Sequence, residues 1–167
     1  MRENAFRKAT MIRAATPEDM PVILEIWRRA ARTAPPFLPE DARQPAGETI
    51  PLRLPDCAIQ VLDADGHVVG FAAMREDHLE ALFVDPKAQG YGHGSELMAR
   101  TMAVHDRITL RVHSRNVRAV SFYRRLGFHA LDEAVDPLSG EPEILMIWSR
   151  EGQCRPRASR EDAPPEN

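Results

Sequence analysis

Three glycines at alternate positions, Gly90, Gly92 and Gly94, separate a short apolar run from a longer one, and they restrict this chain more than any other feature. Upstream, Leu82, Phe83 and Val84 suit a buried strand, because aromatic and β-branched side chains pack well on a pleated surface. Asp85-Pro86 ends that strand, since proline has no N–H to give a ladder. Downstream, Leu97, Met98, Thr101 and Met102 recur at helical spacing. A strand, a glycine-rich bend and a helix start can turn several main-chain N–H groups toward one point, where the helix dipole adds positive potential. The expectation is a pyrophosphate site across Gln89, Gly90, Tyr91, Gly92, His93, Gly94 and Ser95. On the glycines alone, a tight turn before a helix stays open as the alternative. The spacing is not the dinucleotide-binding G-x-G-x-x-G, and no Gly-Lys-Ser/Thr follows, which excludes a P-loop.

Gln89-Gly90-Tyr91-Gly92-His93-Gly94 resembles the Arg/Gln-x-x-Gly-x-Gly/Ala signature of the Gnat-type N-acetyltransferases, preceded as usual there by a strand ending in Val84-Asp85-Pro86. A second segment agrees. Asn116-Val117-Arg118-Ala119-Val120-Ser121-Phe122-Tyr123-Arg124-Arg125-Leu126-Gly127-Phe128 is similar to the family's Asn-x-x-Ala-x-x-Phe-Tyr-x-x-x-Gly-Phe segment. With the flanking strands the resemblance covers roughly residues 11–150, and it is nearest to small bacterial members, many without an assigned substrate. One position departs from the pattern: Gln89 replaces the more usual arginine, keeping a donor but removing a charge.

The order of elements fits that resemblance. Residues 1–9 read as a flexible extension and 10–14 as a first strand. Thr16-Pro17-Glu18-Asp19 opens a helix, with Met20, Ile23, Leu24, Trp27 and Ala31 as its core face. Residues 33–56 hold six prolines, which allow only short helices, around 40–43 or 46–52; the segment is either an acceptor-site lining, as the resemblance implies, or a variable surface connection. Strands follow at 57–62, 67–74 and 79–84, with a turn at 63–66. Then come a helix to about residue 105, a strand at 108–112, a helix at 116–126 and a hairpin of 128–135 with 143–149. The charged, proline-containing residues 151–167 read as a disordered tail, leaving 10–150 as the acetyltransferase domain. The expected fold is α+β in the αβα sense. Its centre is a mixed, mostly antiparallel sheet of about seven strands flanked by helices. The resemblance implies that the fourth and fifth strands splay apart to admit the thioester arm of the coenzyme.

Composition narrows the setting. At 167 residues and 43 % apolar content the chain can form one domain with a real core. No apolar run nears the length of a membrane span, and the basic N-terminus lacks a signal core. Cys57 and Cys154 make no disulfide framework, so a cytoplasmic, reducing home is expected. A formal charge of −3 gives nucleic-acid binding no electrostatic support, and the scattered histidines match no metal spacing.

The implied reaction moves an acetyl group from acetyl-coenzyme A directly to a primary amine in a ternary complex. The acceptor could be a small molecule, a lysine or an N-terminus. The main chain at Phe83 and Val84 is expected to pair with the pantetheine arm and to polarise the thioester carbonyl. Asn116 is expected to hydrogen-bond that arm, to cap the helix, or both. The resemblance gives Tyr123 the role of general acid to the departing thiolate, with a half-buried helix tyrosine as the alternative. For the base, Glu80 comes first and His78 second. Both lie on one strand face with Glu76 and Leu82 if pairing is regular, and His113 is a third candidate. Glu80 merely orienting the amine, with water taking the proton, stays open. A non-catalytic acyl-coenzyme A sensor is the competing function; it would need neither Glu80 nor Tyr123. The last hairpin offers an edge strand for a homodimer.

Overall fold

The computed structural model describes residues 9–33, 53–137 and 139–151. The expectations for the N-terminal extension, for short helices within 40–52 and for the C-terminal tail lie outside the described residues.

Seven strands make one sheet: β1 Thr10–Ala14, β2 Ala58–Ala64, β3 His67–Arg75, β4 His78–Val84, β5 Arg107–His113, β6 His129–Val135 and β7 Pro142–Ser149. Helices α1 Met20–Arg32, α2 His93–Val104 and α3 Val117–Arg125 flank it. The strand order is β1-β2-β3-β4-β5-β7-β6, antiparallel throughout except between β4 and β5. This is the mixed α+β architecture that the sequence predicts. Strand β2 runs two residues into the expected 63–66 turn, because Asp65 and Gly66 suffice for the reversal. Their φ values of 54° and 80° suit the two-residue turn that matches strand twist.

The sheet buries both faces. On one, Ile23, Ile26 and Trp27 of α1 pack with Leu54, Val61, Phe71, Ala73 and Ala81. On the other, Leu97 and Met98 of α2 and Val120 of α3 meet Leu62, Ala72, Leu79, Ile108, Leu110 and Met146. The α1 stripe is rotated slightly from expectation. Ile23 and Trp27 are buried as predicted, Ile26 joins them, and Met20, Leu24 and Ala31 are only half-buried.

One polar corner fixes α1 to the sheet. Asp19 accepts from both Nη atoms of Arg13, at 2.7 and 3.0 Å, and from the Thr16 amide at 2.7 Å. The Arg13 hydrogen bonds, then the Thr16 amide, hold its carboxyl far below the usual carboxylate range. A depressed folded pKa stabilises the fold above the ordinary aspartate value and loses that contribution as pH falls through the depressed one. Asp19→Asn should therefore lower Tm at neutral pH and flatten the loss of stability on acidification, read by thermal melts across pH.

Candidate active site

The site follows from a failure of pairing. Strands β4 and β5 share the single register pair His78↔Thr109, closed by Thr109 N–H donating to the Asp77 carbonyl at 2.8 Å. Beyond it they part, and a cavity of about 250 Å³ opens between them. Glu80, Phe83, Arg111, His113, Asn116 and Tyr123 are among its lining residues. The splay expected from the resemblance is present. A second hollow, of about 430 Å³, lies at Asp106–Arg107 and Ser149–Glu151, at the far end of β5. It has no such strand edge, and there Arg150 Nε is already paired with Asp106 at 3.0 Å.

Ladder phase determines which main-chain groups face the cavity. The Asp85 amide donates to the Val69 carbonyl at 2.8 Å, so in the antiparallel pattern Phe83 and Ala81 exchange bonds with β3. The Phe83 carbonyl accordingly lies 3.0 Å from where a Cβ on Gly70 would stand. Leu82 and Val84 therefore turn their N–H and C=O toward β5. Of the two residues expected to present their main chain to the arm, Val84 faces the wedge and Phe83 does not; Leu82 faces it instead. No sequence signal distinguishes the two phases.

A bulge corrects the expected strand face. Ala73 pairs with Ala81 but Met74 pairs with Leu79, leaving Glu80 as the extra residue. Leu79 and Leu82 consequently pack on the same side of the sheet, which strict alternation forbids. Glu76 sits in the β3–β4 turn at φ 54°. Glu76, His78, Glu80 and Leu82 therefore do not form one regular face. Glu80 meets two arginines that the sequence reading missed. Arg75 donates to Oε1 from Nε at 2.7 Å and also from Nη2, while Arg53 donates to Oε2 at 3.2 Å. The Glu80 side chain is only 2 % exposed. Burial works to raise its pKa, but the hydrogen bonds from Arg75 and Arg53 outweigh it and keep the group a carboxylate. A two-residue turn at Glu76-Asp77 was the signal that could have placed Arg75 beside Glu80.

His78 lies where β4 and β5 still pair, its Nδ1 2.9 Å from Thr109 Oγ1, and is not one of the residues lining the cavity. Burial pushes its pKa below the ordinary histidine value, so the ring is neutral at pH 7. His113 lies further along β5, with Nε2 3.9 Å from Asp136 Oδ2.

Helix α3 supplies the opposite wall. Asn116 caps it, accepting from the Ala119 amide at 3.2 Å, and also lines the cavity. Tyr123 is packed edge-on between Phe122 and Phe128, with ring centroids 5.1 and 5.6 Å away. Burial pushes its phenol up, so it stays protonated well beyond neutral pH.

The glycine loop lies past the open end of β4. Gly90 and Gly92 both have φ of +86°, which only glycine adopts readily, and Gly92 caps α2 in the left-handed region. The first amides of a helix have no partner within it, so those of His93, Gly94 and Ser95 lie at the positive end of the dipole. Gln89 does not point its side chain into the loop; its Nε2 donates to the Val84 carbonyl at 3.1 Å.

Known proteins share this fold. Residues 42–136 match the family model described as an acetyltransferase (GNAT) domain. The chain is 33 % identical over 143 residues to the peptidyl-lysine N-acetyltransferase YiaC of Escherichia coli K12, covering 83 % of this chain and 96 % of that one. It is 31 % identical over 137 residues to the peptidyl-lysine N-acetyltransferase YjaB of Salmonella typhimurium, covering 81 % and 94 %. Among solved structures, the apo form of YjaB from Escherichia coli superposes with a TM-score of 0.73 at 27 % identity, covering 83 % of this chain and 97 % of that one. The PaiA N-acetyltransferase of Thermoplasma acidophilum, solved in complex with coenzyme A, shares the fold with a TM-score of 0.68 at 20 % identity, covering 84 % and 99 %.

Proposed function

The chain belongs to the GNAT acetyltransferase family and moves an acetyl group from acetyl-coenzyme A to an amine; from that premise we propose that its acceptor is a lysine side chain presented by a protein or peptide. The observation carrying the transfer is the unpaired edge of β4 facing Tyr123 across the cavity. The lysine acceptor is supported by two relatives named peptidyl-lysine N-acetyltransferases that align over nearly their whole lengths.

In this reading the amides at the start of α2 hold the pyrophosphate, and the outward main chain of Leu82 with the Val84 amide pairs with the pantetheine arm as an added strand would, the Val84 carbonyl being bonded to Gln89. An amide of that edge donates to the thioester oxygen as negative charge develops there, a role worth about 3 kcal/mol in comparable sites. Glu80, fixed by Arg53 and Arg75, orients the incoming ammonium. His78, just outside the cavity lining, takes its proton through water. Thr109 Oγ1 lies 3.5 Å from the Asp77 carbonyl; donating there, it accepts from His78 Nδ1–H and leaves Nε2 its lone pair. The amine nitrogen bonds to the acetyl carbon, the C–S bond breaks, and the Tyr123 hydroxyl protonates the departing sulfur. The tightly bonded Glu80 carboxylate is the poorer base, which reverses the order expected from sequence.

A thiol-release assay with acetyl-coenzyme A against lysine peptides, N-terminally free peptides without lysine, and small amines tests the reading. Lysine peptides should give the highest kcat/KM. Because burial depresses the His78 pKa, activity should persist as pH falls to about 6.5 and drop only below it. His78→Ala should cost about tenfold, water replacing the ring in part, and should abolish that acid limb. Release that no amine accelerates would point instead to a coenzyme sensor.

A further inference from the structure

Of the 22 lysines and arginines in this chain only two are lysines, Lys8 and Lys87, and Lys87 is the only one among the described residues. Arginine is not a substrate for acetyl transfer, so nearly all the positive charge of the protein is proof against its own reaction. Lys87 is the exception, and its position is the sensitive one. It lies in the short turn Pro86–Ala88 that carries the chain from β4 into the glycine loop, and it is exposed. Its backbone N–H donates to Asp85 Oδ1 at 2.9 Å, but its ammonium makes no ion pair among the described residues. The neighbouring Asp85 carboxylate is committed to Arg29 at 2.8 Å. Gln89, where an arginine is more usual, carries no charge and is bonded to the Val84 carbonyl. Lys87 is thus the one lysine or arginine between residues 79 and 92, in the turn that leads into the loop assigned to the pyrophosphate.

We propose that Lys87 is an acetylation site of this protein, and that its modification weakens coenzyme binding. The inference rests on the lysine-acetylating reading above. The deprotonated Nζ bonds to the acetyl carbon of acetyl-coenzyme A, the C–S bond breaks, and the leaving thiolate takes up a proton. The side chain passes from a cation to a neutral amide. On the proposed binding mode the arm of a molecule's own coenzyme enters the cavity lined by Tyr123 and Glu80, which Lys87 does not line, so the donor is bound to a second copy. Accumulated acetyl-coenzyme A therefore lowers the affinity of the enzyme population for it.

The full chain is incubated with acetyl-coenzyme A and a lysine peptide at several protein concentrations, and modified residues are located by peptide mass spectrometry. Acetyl-Lys87 should appear at an initial rate rising with the square of protein concentration. Peptide turnover with an unmodified Lys87 overturns this inference and leaves the proposed function standing; no turnover of any lysine overturns the function itself. A rate only linear in protein rules out transfer between freely diffusing copies. In calorimetry, Lys87→Gln should weaken coenzyme A binding about threefold at low salt, less at high salt, whereas Lys87→Arg should match the parent. Equal affinity of Lys87→Gln and the parent at low salt removes the feedback.

Discussion

Tyr123→Phe should lower kcat about a hundredfold while leaving the Kd for acetyl-coenzyme A within about twofold. The substitution removes one hydroxyl from a ring packed edge-on against Phe122 and Phe128, so the aromatic cluster and helix α3 are retained. What disappears, on the proposed mechanism, is the proton delivered to sulfur when the C–S bond breaks. Burial pushes the Tyr123 pKa upward, and the sign of that shift matters. A phenol with a raised pKa is fully protonated through neutral pH, as an acid must be, and loses its proton only above the ordinary tyrosine value of about 10. The parent enzyme should show no alkaline loss of kcat attributable to this group below that pH. Steady-state kinetics with a lysine peptide, alongside calorimetric titration of the coenzyme, separates the two quantities. An unchanged kcat would assign sulfur protonation to water and make Tyr123 a packing residue. A matched loss of affinity and turnover would mean that the hydroxyl holds the arm.

How much of this was legible beforehand depends on range. The seven strands and three helices announced themselves through local chemistry: Pro86 stopping β4, Asp65-Gly66 reversing β2 into β3, and Asn116 capping α3. The glycine loop was equally plain, because its residues are consecutive. Features set by register were not. Whether Leu82 or Phe83 faces the wedge depends on ladder phase, which composition does not encode. The bulge at Glu80 reverses the side-chain direction below it, so alternation misplaced the acidic candidates. Arg53 is 27 positions from Glu80 and reaches it only through the fold. The wedge itself was carried by the resemblance, not by spacing. Gln89 belongs to the loop whose main-chain N–H groups are expected at the pyrophosphate; that its side chain braces strand and loop through the Val84 carbonyl is a contact the motif does not announce.

The glycine loop supplies the second large effect, and it can be isolated from the cleft. Gly92→Val should weaken acetyl-coenzyme A at least about tenfold. Gly92 caps α2 at φ +86°, a left-handed conformation costing about 1–2 kcal/mol for an ordinary residue and more for a β-branched one. A Cβ there would meet nothing within 4 Å, so the penalty is backbone conformation and not internal collision. The loop relaxes by rotating Gly92, which turns the first amides of α2 off their common point. Gly94→Ala is the matched control. Gly94 has no positive φ, and its added methyl would sit 3.5 Å from Phe122 Cζ, in ordinary contact. It should bind the coenzyme nearly as the parent does, in keeping with a motif position that tolerates alanine. Comparing acetyl-coenzyme A with S-acetylpantetheine, which has the reactive arm but no phosphates, then divides the site. Gly92→Val should lose affinity for the first and react with the second as the parent does. Equal losses toward both would show that the bend shapes the β4 edge instead of gripping phosphate. Full affinity of a folded Gly92→Val for acetyl-coenzyme A would move the pyrophosphate away from this loop altogether.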